Sequence, residues 1–380
     1  MRIGMLTDMY KPHVSGVTNY IDLYRQRFEA LGHEVVVVTF GSRDHDDTPE
    51  TVVRCPAVPW GSTGWQAGLG YTREAVDAVH SCDVLHAHHP FVSGPLGVRH
   101  RAPRTPIVFT NHTRYDLYSD TYARFAPRFL RHAVVRTALH RFTSRIDLTL
   151  APSPIIRDWL VEFGITNDAV VLRNAIDTQP FRSPPSTFTS AELGLPTNGV
   201  IAVYLGRIGE EKNMSQLTDA FIMAAERVPQ LSLLVLGDGP ARADSEQALA
   251  TAGLSSRVHF TGTIPYANAP DYLAAGDFFV TASVSETYPL VVMEAGAAGL
   301  PCLGVTSPGV GEVVDPDVSG ILTDNSAQAY ADGMVTFATD SALRDRLSAG
   351  AVNASARHDI RIAADKLLGH YEQLIASREA

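Results

Sequence analysis

Short apolar runs alternate along the chain with stretches whose apolar residues recur at helical spacing. That alternation predicts buried strands joined by amphipathic helices, the pattern of parallel βαβ architecture. Ile3–Thr7 reads as the first strand. Val17, Tyr20, Ile21, Tyr24, Phe28 and Leu31 then line one face of a helix, and Gly32 ends it. Strands at Val35–Phe40, Asp83–His86, Ile107–Asn111, Asp147–Ala151 and Val170–Arg173 continue the series.

From Thr178 to Gly199 the pattern lapses. Pro180, Pro184, Pro185 and Pro196 among Ser and Thr predict a linker carrying a short helix. The alternation restarts with a strand at Ile201–Leu205, a helix at Ser215–Val228 and a strand at Leu231–Leu236. Further strands follow at Val258–Thr261, Asp277–Thr281, Pro301–Val305 and Gly320–Leu322. The expected fold is α/β: two facing Rossmann-like domains with parallel sheets, residues 1–178 and 179–359. Ligands bind such sheets at the carboxyl ends of the strands. Residues 360–380 form a last helix with Ile360, Ala364, Leu367, Tyr371 and Leu374 on one face, a pattern that fits packing on either domain.

Composition narrows the function. At 380 residues, with 45% hydrophobic and 19% charged, the chain has the makeup of a globular protein with two cores. A net charge of −10 excludes a nucleic acid polymer as bulk partner, but not a small phosphorylated ligand, which needs only local cations. Cys55, Cys82 and Cys302 form no CxxC pair, which argues against a disulfide framework or zinc site and suits the reducing cytosol. The sequence shows neither an N-terminal apolar region of roughly 7–15 residues with a cleavage site nor an apolar run of about 20 residues. The expectation is a cytoplasmic protein whose membrane contact is peripheral, at the inner face.

The second domain carries the densest chemistry. In Ser285-Glu286-Thr287-Tyr288-Pro289-Leu290-Val291-Val292-Met293-Glu294, Pro289 suits the first position of a helix. The free N–H groups of Leu290 and Val291 would then bind phosphate. Glu286 before the helix and Glu294 within it are spaced to accept hydroxyl hydrogen bonds at either end of a sugar nucleotide. Acidic residues near helix starts also serve the dipole alone. Gly206-Arg207-Ile208-Gly209-Glu210-Glu211-Lys212-Asn213 joins a strand to a helix, where Arg207 and Lys212 can converge on phosphate. The plainer role for these cations is a surface ion pair with Glu210 or Glu211. Gly237-Asp238-Gly239-Pro240 is another strand-end turn, able to pass close to a base or ribose. In the first domain, Thr7–Val17 joins strand to helix, with Ser15 as a cap and Gly16 letting the backbone approach a ligand.

Together these motifs, in this order, resemble glycosyltransferase family 4 of the GT-B fold, and the resemblance spans essentially the whole chain. It implies that Arg207 and Lys212 stabilise a leaving diphosphate, Glu294 holds ribose hydroxyls and Glu286 faces the donor sugar or phosphate. It implies donor contacts at Gly16, Gly237, Leu290 and Val291, and makes His112 the histidine that meets the donor sugar. It also implies retention of anomeric configuration and a final helix crossing back to the first domain. The Ser15-Gly16 pair departs from the two adjacent glycines of many members, which puts close phosphate approach there in doubt.

Metal candidates are weak. Asp44-His45-Asp46 and Asp315-Pro316-Asp317 mimic a D-x-D motif but lie in polar turns. His86, His88 and His89 lack a convergent carboxylate or cysteine and read as structural or acceptor-side. The expectation is no metal and no cofactor, with the nucleotide sugar as substrate and UDP favoured as its nucleotide.

Between Thr121 and Ile146 stand Arg124, Arg128, Arg131, Arg136, Arg141 and Arg145, with no acid and with interleaved Phe and Leu. Such a segment suits either an anionic lipid surface or a helix packed on the core. Thr7-Asp8, Tyr10, Pro12, Gly16-Val17 and His112-Thr113, Tyr115, Tyr118 are similar to bacterial diacylglycerol glucosyltransferases and sulfoquinovosyl transferases. That resemblance places Tyr115, Arg124, Arg128 and Arg131 on the acceptor or membrane side and makes diacylglycerol the expected acceptor. The alternatives are a soluble acceptor such as a sugar phosphate, a nucleotide-sugar epimerase and a non-catalytic nucleotide-sugar sensor. A dinucleotide dehydrogenase is disfavoured because neither first βα turn reads G-x-G-x-x-G.

Overall fold

Alternate residues of each long strand serve opposite faces, so a strand apolar on both belongs in the middle of a layered α/β unit. Arg2–Leu6 (β1) and Glu34–Phe40 (β2) show this directly. Ile3, Met5, Val35 and Val37 enter one core, while Leu6, Val36 and Val38 enter the core on the other side. The computed structural model describes the chain apart from residues 14, 43–46, 49–50, 61–64, 117–126, 167, 287 and 380. It divides into two units: Met1–Ala175 with Ile360–Ala380, and Ile176–Asp359.

In the first unit, β1 and β2 join Val52–Cys55 (β3) in a seven-stranded sheet; Ala57–Trp60 (β4) and Trp65–Gly68 (β5) form a separate antiparallel pair. Val84–Ala87 (β6), Ile107–Thr110 (β7), Leu148–Ala151 (β8) and Val170–Val171 (β9) complete the sheet, all parallel, in the order β3-β2-β1-β6-β7-β8-β9. The Ile360–Glu379 helix packs Ile360, Ala364, Leu367 and Tyr371 into this unit's core, beside Tyr24 and Phe28 of the Gly16–Ala30 helix. Strands β3 to β5 were not predicted. They are short, interrupted by Arg54, Pro56 and Pro59, and lack the apolar run that marks a central strand.

The second unit holds a six-stranded parallel sheet. Its strands are Val200–Leu205 (β10), Leu231–Leu236 (β11), Val258–Gly262 (β12), Phe278–Thr281 (β13), Cys302–Val305 (β14) and Gly320–Thr323 (β15). Their order, β12-β11-β10-β13-β14-β15, is that of a doubly wound nucleotide-binding fold. Most of the expected linker belongs to this unit, because Phe181, Leu193 and Leu195 are buried in its core. Among the described residues no helix is long and apolar enough to cross a membrane.

Candidate active site

In a doubly wound sheet the chain leaves neighbouring strands in opposite directions at one point, opening a crevice at their carboxyl ends. In the second unit that point lies between β10 and β13. The loop after β10 carries Arg207 and Lys212; the segment after β13 carries Glu286 and leads to the helix Leu290–Ala297. Lys212 Nζ donates to Glu286 Oε1, bringing together two residues 74 positions apart. Arg207 Nη1 lies 3.7 Å from Glu211 Oε1 and is 63% exposed, so the plainer ion-pair role holds for it in this state.

Local backbone holds these groups in place. Glu210–Lys212 forms a tight 3₁₀ turn, and Asn213 follows in the left-handed region (φ 57°), its amide bonded to the Ala282 carbonyl at 3.3 Å and to Asn325 at 3.1 Å. Ser285 Oγ donates to the Glu211 carbonyl at 3.0 Å, tying the two segments together. Tyr204 donates to the Arg207 carbonyl at 2.7 Å. Its phenol pKa is pushed up by burial first, then by the negative charge of Glu286 and Glu211.

Gly237 sits at φ 147°, and a Cβ there would stand 1.9 Å from the Gly206 carbonyl oxygen. Its glycine is thus required first by the neighbouring loop, with Gly206 N–H bonding Leu236 O at 2.9 Å and Ile208 N–H bonding Asp238 O at 3.0 Å. A Cβ on Gly309 would fall 2.0 Å from the Glu286 carbonyl oxygen, so Gly309 lets the Pro308–Gly311 turn close against Glu286.

The Leu290–Ala297 helix begins one residue later than expected, with Pro289 in extended conformation as its cap (ψ 109°). No side chain caps it among the described residues, which leaves the amide end of the helix at Leu290 and Val291 open to an anion. Glu294 is 3% exposed. Burial raises its carboxyl pKa to about 7, against the lowering effect of a 2.9 Å hydrogen bond from Tyr266 Oη. Sequence reasoning missed Tyr266. It follows β12 at the strand's carboxyl end, the same positional signal that singled out His112.

In the first unit, Ser15 caps the Gly16–Ala30 helix through a reciprocal box with Thr18. Gly16 is exposed, with nothing within 4 Å of a built Cβ. The carboxyl ends of β6 and β7 bring His88 and His112 together, Nδ1 to Nε2 at 3.0 Å, with Tyr20 edge-on to the His112 ring. His86 is fully buried and bonded to Tyr371 and Thr110, a structural position. Burial above all holds the pKa values of His88 and His112 well below the usual histidine range.

Tyr115 is buried, packed among Leu139, Ile156 and Leu160 and edge-on to Phe91. Arg124 and Tyr118 lie outside the described residues, as does Asp44-His45-Asp46. Arg128 and Arg131 stand at the start of the Arg128–Thr143 helix, whose two ends differ. Leu139 and Phe142 are buried, while Phe129 is 77% exposed, Leu130 48% and Val134 61%. Asp315 pairs with Arg357, and the described residues contain no group of three His, Cys, Asp or Glu side chains that could hold a metal.

The candidate residues of the second unit gather at the carboxyl ends of a doubly wound sheet, the usual ligand position of such folds, and comparison with known proteins identifies the family. Residues 14–180 match the model of Glycosyltransferase Family 4 and residues 186–353 that of Glycosyl transferases group 1. The chain belongs to the family 4 glycosyltransferases of the GT-B fold. It is 28% identical to the alpha-monoglucosyldiacylglycerol synthase of Streptococcus pneumoniae, over 85% of this chain and 75% of that one. Identity is also 28% to the phosphatidyl-myo-inositol mannosyltransferase of Mycobacterium leprae, over 99% and 98%. The fold is similar to that of Anabaena HepE, solved in complex with UDP and glucose, with a TM-score of 0.78, 21% identity and coverage of 98% and 100%.

Proposed function

We propose that this glycosyltransferase moves a hexose from a UDP-sugar to a hydroxyl of diacylglycerol, with retention of anomeric configuration and without a metal ion or cofactor. The observation that carries the donor side is the gathering of Arg207, Lys212, Glu286, Glu294 and an uncapped helix start at the switch point of the second sheet. Glu294 accepts ribose hydroxyl hydrogen bonds. The diphosphate lies toward the amides of Leu290 and Val291. On binding it draws Lys212 from Glu286 and Arg207 from Glu211, and both cations then stabilise charge as the phosphate leaves. Glu286, so released, takes one donor hydroxyl, and His112 is the histidine that takes another. The acceptor hydroxyl attacks the anomeric carbon on the face from which the diphosphate departs. Anabaena HepE, similar in fold, was solved with UDP and glucose, which supports the choice of nucleotide.

The lipid acceptor rests on the Arg128–Thr143 helix. Exposed Phe129, Leu130 and Val134 beside Arg128 and Arg131 form the pattern of an interfacial helix, apolar groups entering the acyl boundary and cations meeting headgroups. Relatives named for diacylglycerol and phosphatidylinositol acceptors support the same reading. Each arginine near an anionic leaflet contributes about 1 kcal/mol. Arg128→Glu with Arg131→Glu should therefore weaken sedimentation with anionic vesicles about 30-fold or more. Salt should weaken wild-type binding too, because the Debye length falls from about 10 Å at 0.1 M to about 3 Å at 1 M. Indifference to anionic vesicles at low salt would favour a soluble acceptor such as a sugar phosphate.

A further inference from the structure

The histidines at the carboxyl ends of β6 and β7 are linked in a way that determines where one proton sits. His88 Nε2 lies 3.3 Å from Met5 Sδ, and a thioether sulfur carries no hydrogen to donate. If that contact is to be a hydrogen bond, His88 must carry its proton on Nε2. A neutral imidazole has one N–H, so Nδ1 of His88 then holds a lone pair. Its partner at 3.0 Å, His112 Nε2, must be the donor. The proton of His112 is thereby fixed on Nε2, and its Nδ1, without a protein partner among the described residues, is left as an acceptor. Burial supports the neutral state of both rings.

Packing holds the pair in register. The His88 and His112 rings meet edge to edge, with centroids 5.3 Å apart and planes 27° from parallel, and Tyr20 meets both edge-on, at 5.5 Å and 4.8 Å. His88 itself is fully buried, so it cannot reach a ligand, whereas His112 is only half-buried.

We propose that His88 is a positioning residue that locks His112 in its Nε2–H tautomer, so that His112 Nδ1 accepts the O–H of a donor-sugar hydroxyl and cannot donate to the sugar. The proposal rests on the reading of His112 as the histidine that meets the donor. Its consequence is chemical selectivity: the site requires a group that donates at that point, which a hydroxyl does and an ether or carbonyl oxygen does not.

Long-range ¹H–¹⁵N correlation spectra of the full chain, labelled at histidine, report the tautomer directly; His112→Gln assigns the signals. The expected spectrum shows His112 protonated at Nε2 and unprotonated at Nδ1. His88→Leu fills the apolar site but removes the acceptor, and should release His112 into a mixture of tautomers and lower kcat at least tenfold. His88→Asn retains an acceptor oxygen toward His112 and should keep both the tautomer and most of the turnover. A packing role alone would favour leucine over asparagine. Wild-type His112 protonated at Nδ1, or a His88→Leu spectrum identical to wild type, would overturn the proposal. The tautomer is read without donor or acceptor present, so this result stands apart from whether the proposed transfer occurs.

Discussion

Lys212→Ala should lower kcat about 10²- to 10³-fold while changing the donor KM much less, since loss of one preorganised group facing developing charge has that order of effect. Charge accumulates on the diphosphate as the glycosidic bond breaks, so an ammonium there stabilises the transition state more than the bound donor. The neighbouring Arg207 is far more exposed and pairs with Glu211, so it should compensate little. The substitution also leaves Glu286, 20% exposed at its side chain, without its cation, and a melting temperature is the needed control. Lys212→Arg keeps the charge and should recover part of the rate. Near-normal turnover in a folded Lys212→Ala protein would remove the assigned role.

Glu294→Ala should act on the other constant. Hydrogen bonds to a charged group contribute about 1.5–3 kcal/mol, so loss of a ribose contact should raise the donor KM roughly 10- to 100-fold. A pH signature accompanies it. The carboxyl titrates at about 7 in the folded chain, above the ordinary 4.5, because burial penalises the charge. Folded protein therefore binds more protons than unfolded between those values. The resulting stability is fully present below about 4.5 and is lost as pH rises through about 7. Ribose hydroxyls donate to the carboxylate, so UDP should bind more tightly as pH rises through 7 and should release a proton on binding. Calorimetry in buffers of different ionisation enthalpy measures that proton; Glu294→Gln should reduce the release to the share of the terminal phosphate of UDP, which itself titrates at about 6. Proton-neutral UDP binding near pH 7 would argue that Glu294 does not meet the ribose.

Most strands, and the strand-to-helix loops that carry the candidate donor residues, were legible because each depends on local pattern. A buried parallel strand is a short apolar run, and a phosphate loop is a glycine turn between strand and helix. Strands β3 to β5 were not legible, because prolines and Arg54 break their apolar run. What pairs with what was not legible either. The sequence placed Lys212 beside Glu210 and Glu211, whereas the fold carries it to Glu286 through the β10–β13 switch. The burial of Tyr115 was not legible for a related reason: its neighbours Leu139 and Ile156 come from later helices, and only the tertiary contact brings them together. The Arg128–Thr143 helix had two competing readings in the sequence. The structure divides them between its ends, buried at Leu139 and exposed at Phe129.

The central claim is hexose transfer from a nucleotide sugar to a lipid hydroxyl, with side chains supplying the charge that a metal would otherwise supply. Its most direct test is one assay: the full chain, UDP-hexoses and vesicles of diacylglycerol with anionic phospholipid, in excess EDTA, with products read by mass spectrometry. The account predicts a glycolipid heavier than diacylglycerol by one hexose residue, formed in step with UDP. Accumulation of an isomerised sugar nucleotide without any lipid product, or glycolipid formation only after Mg²⁺ or Mn²⁺ is restored, would contradict it.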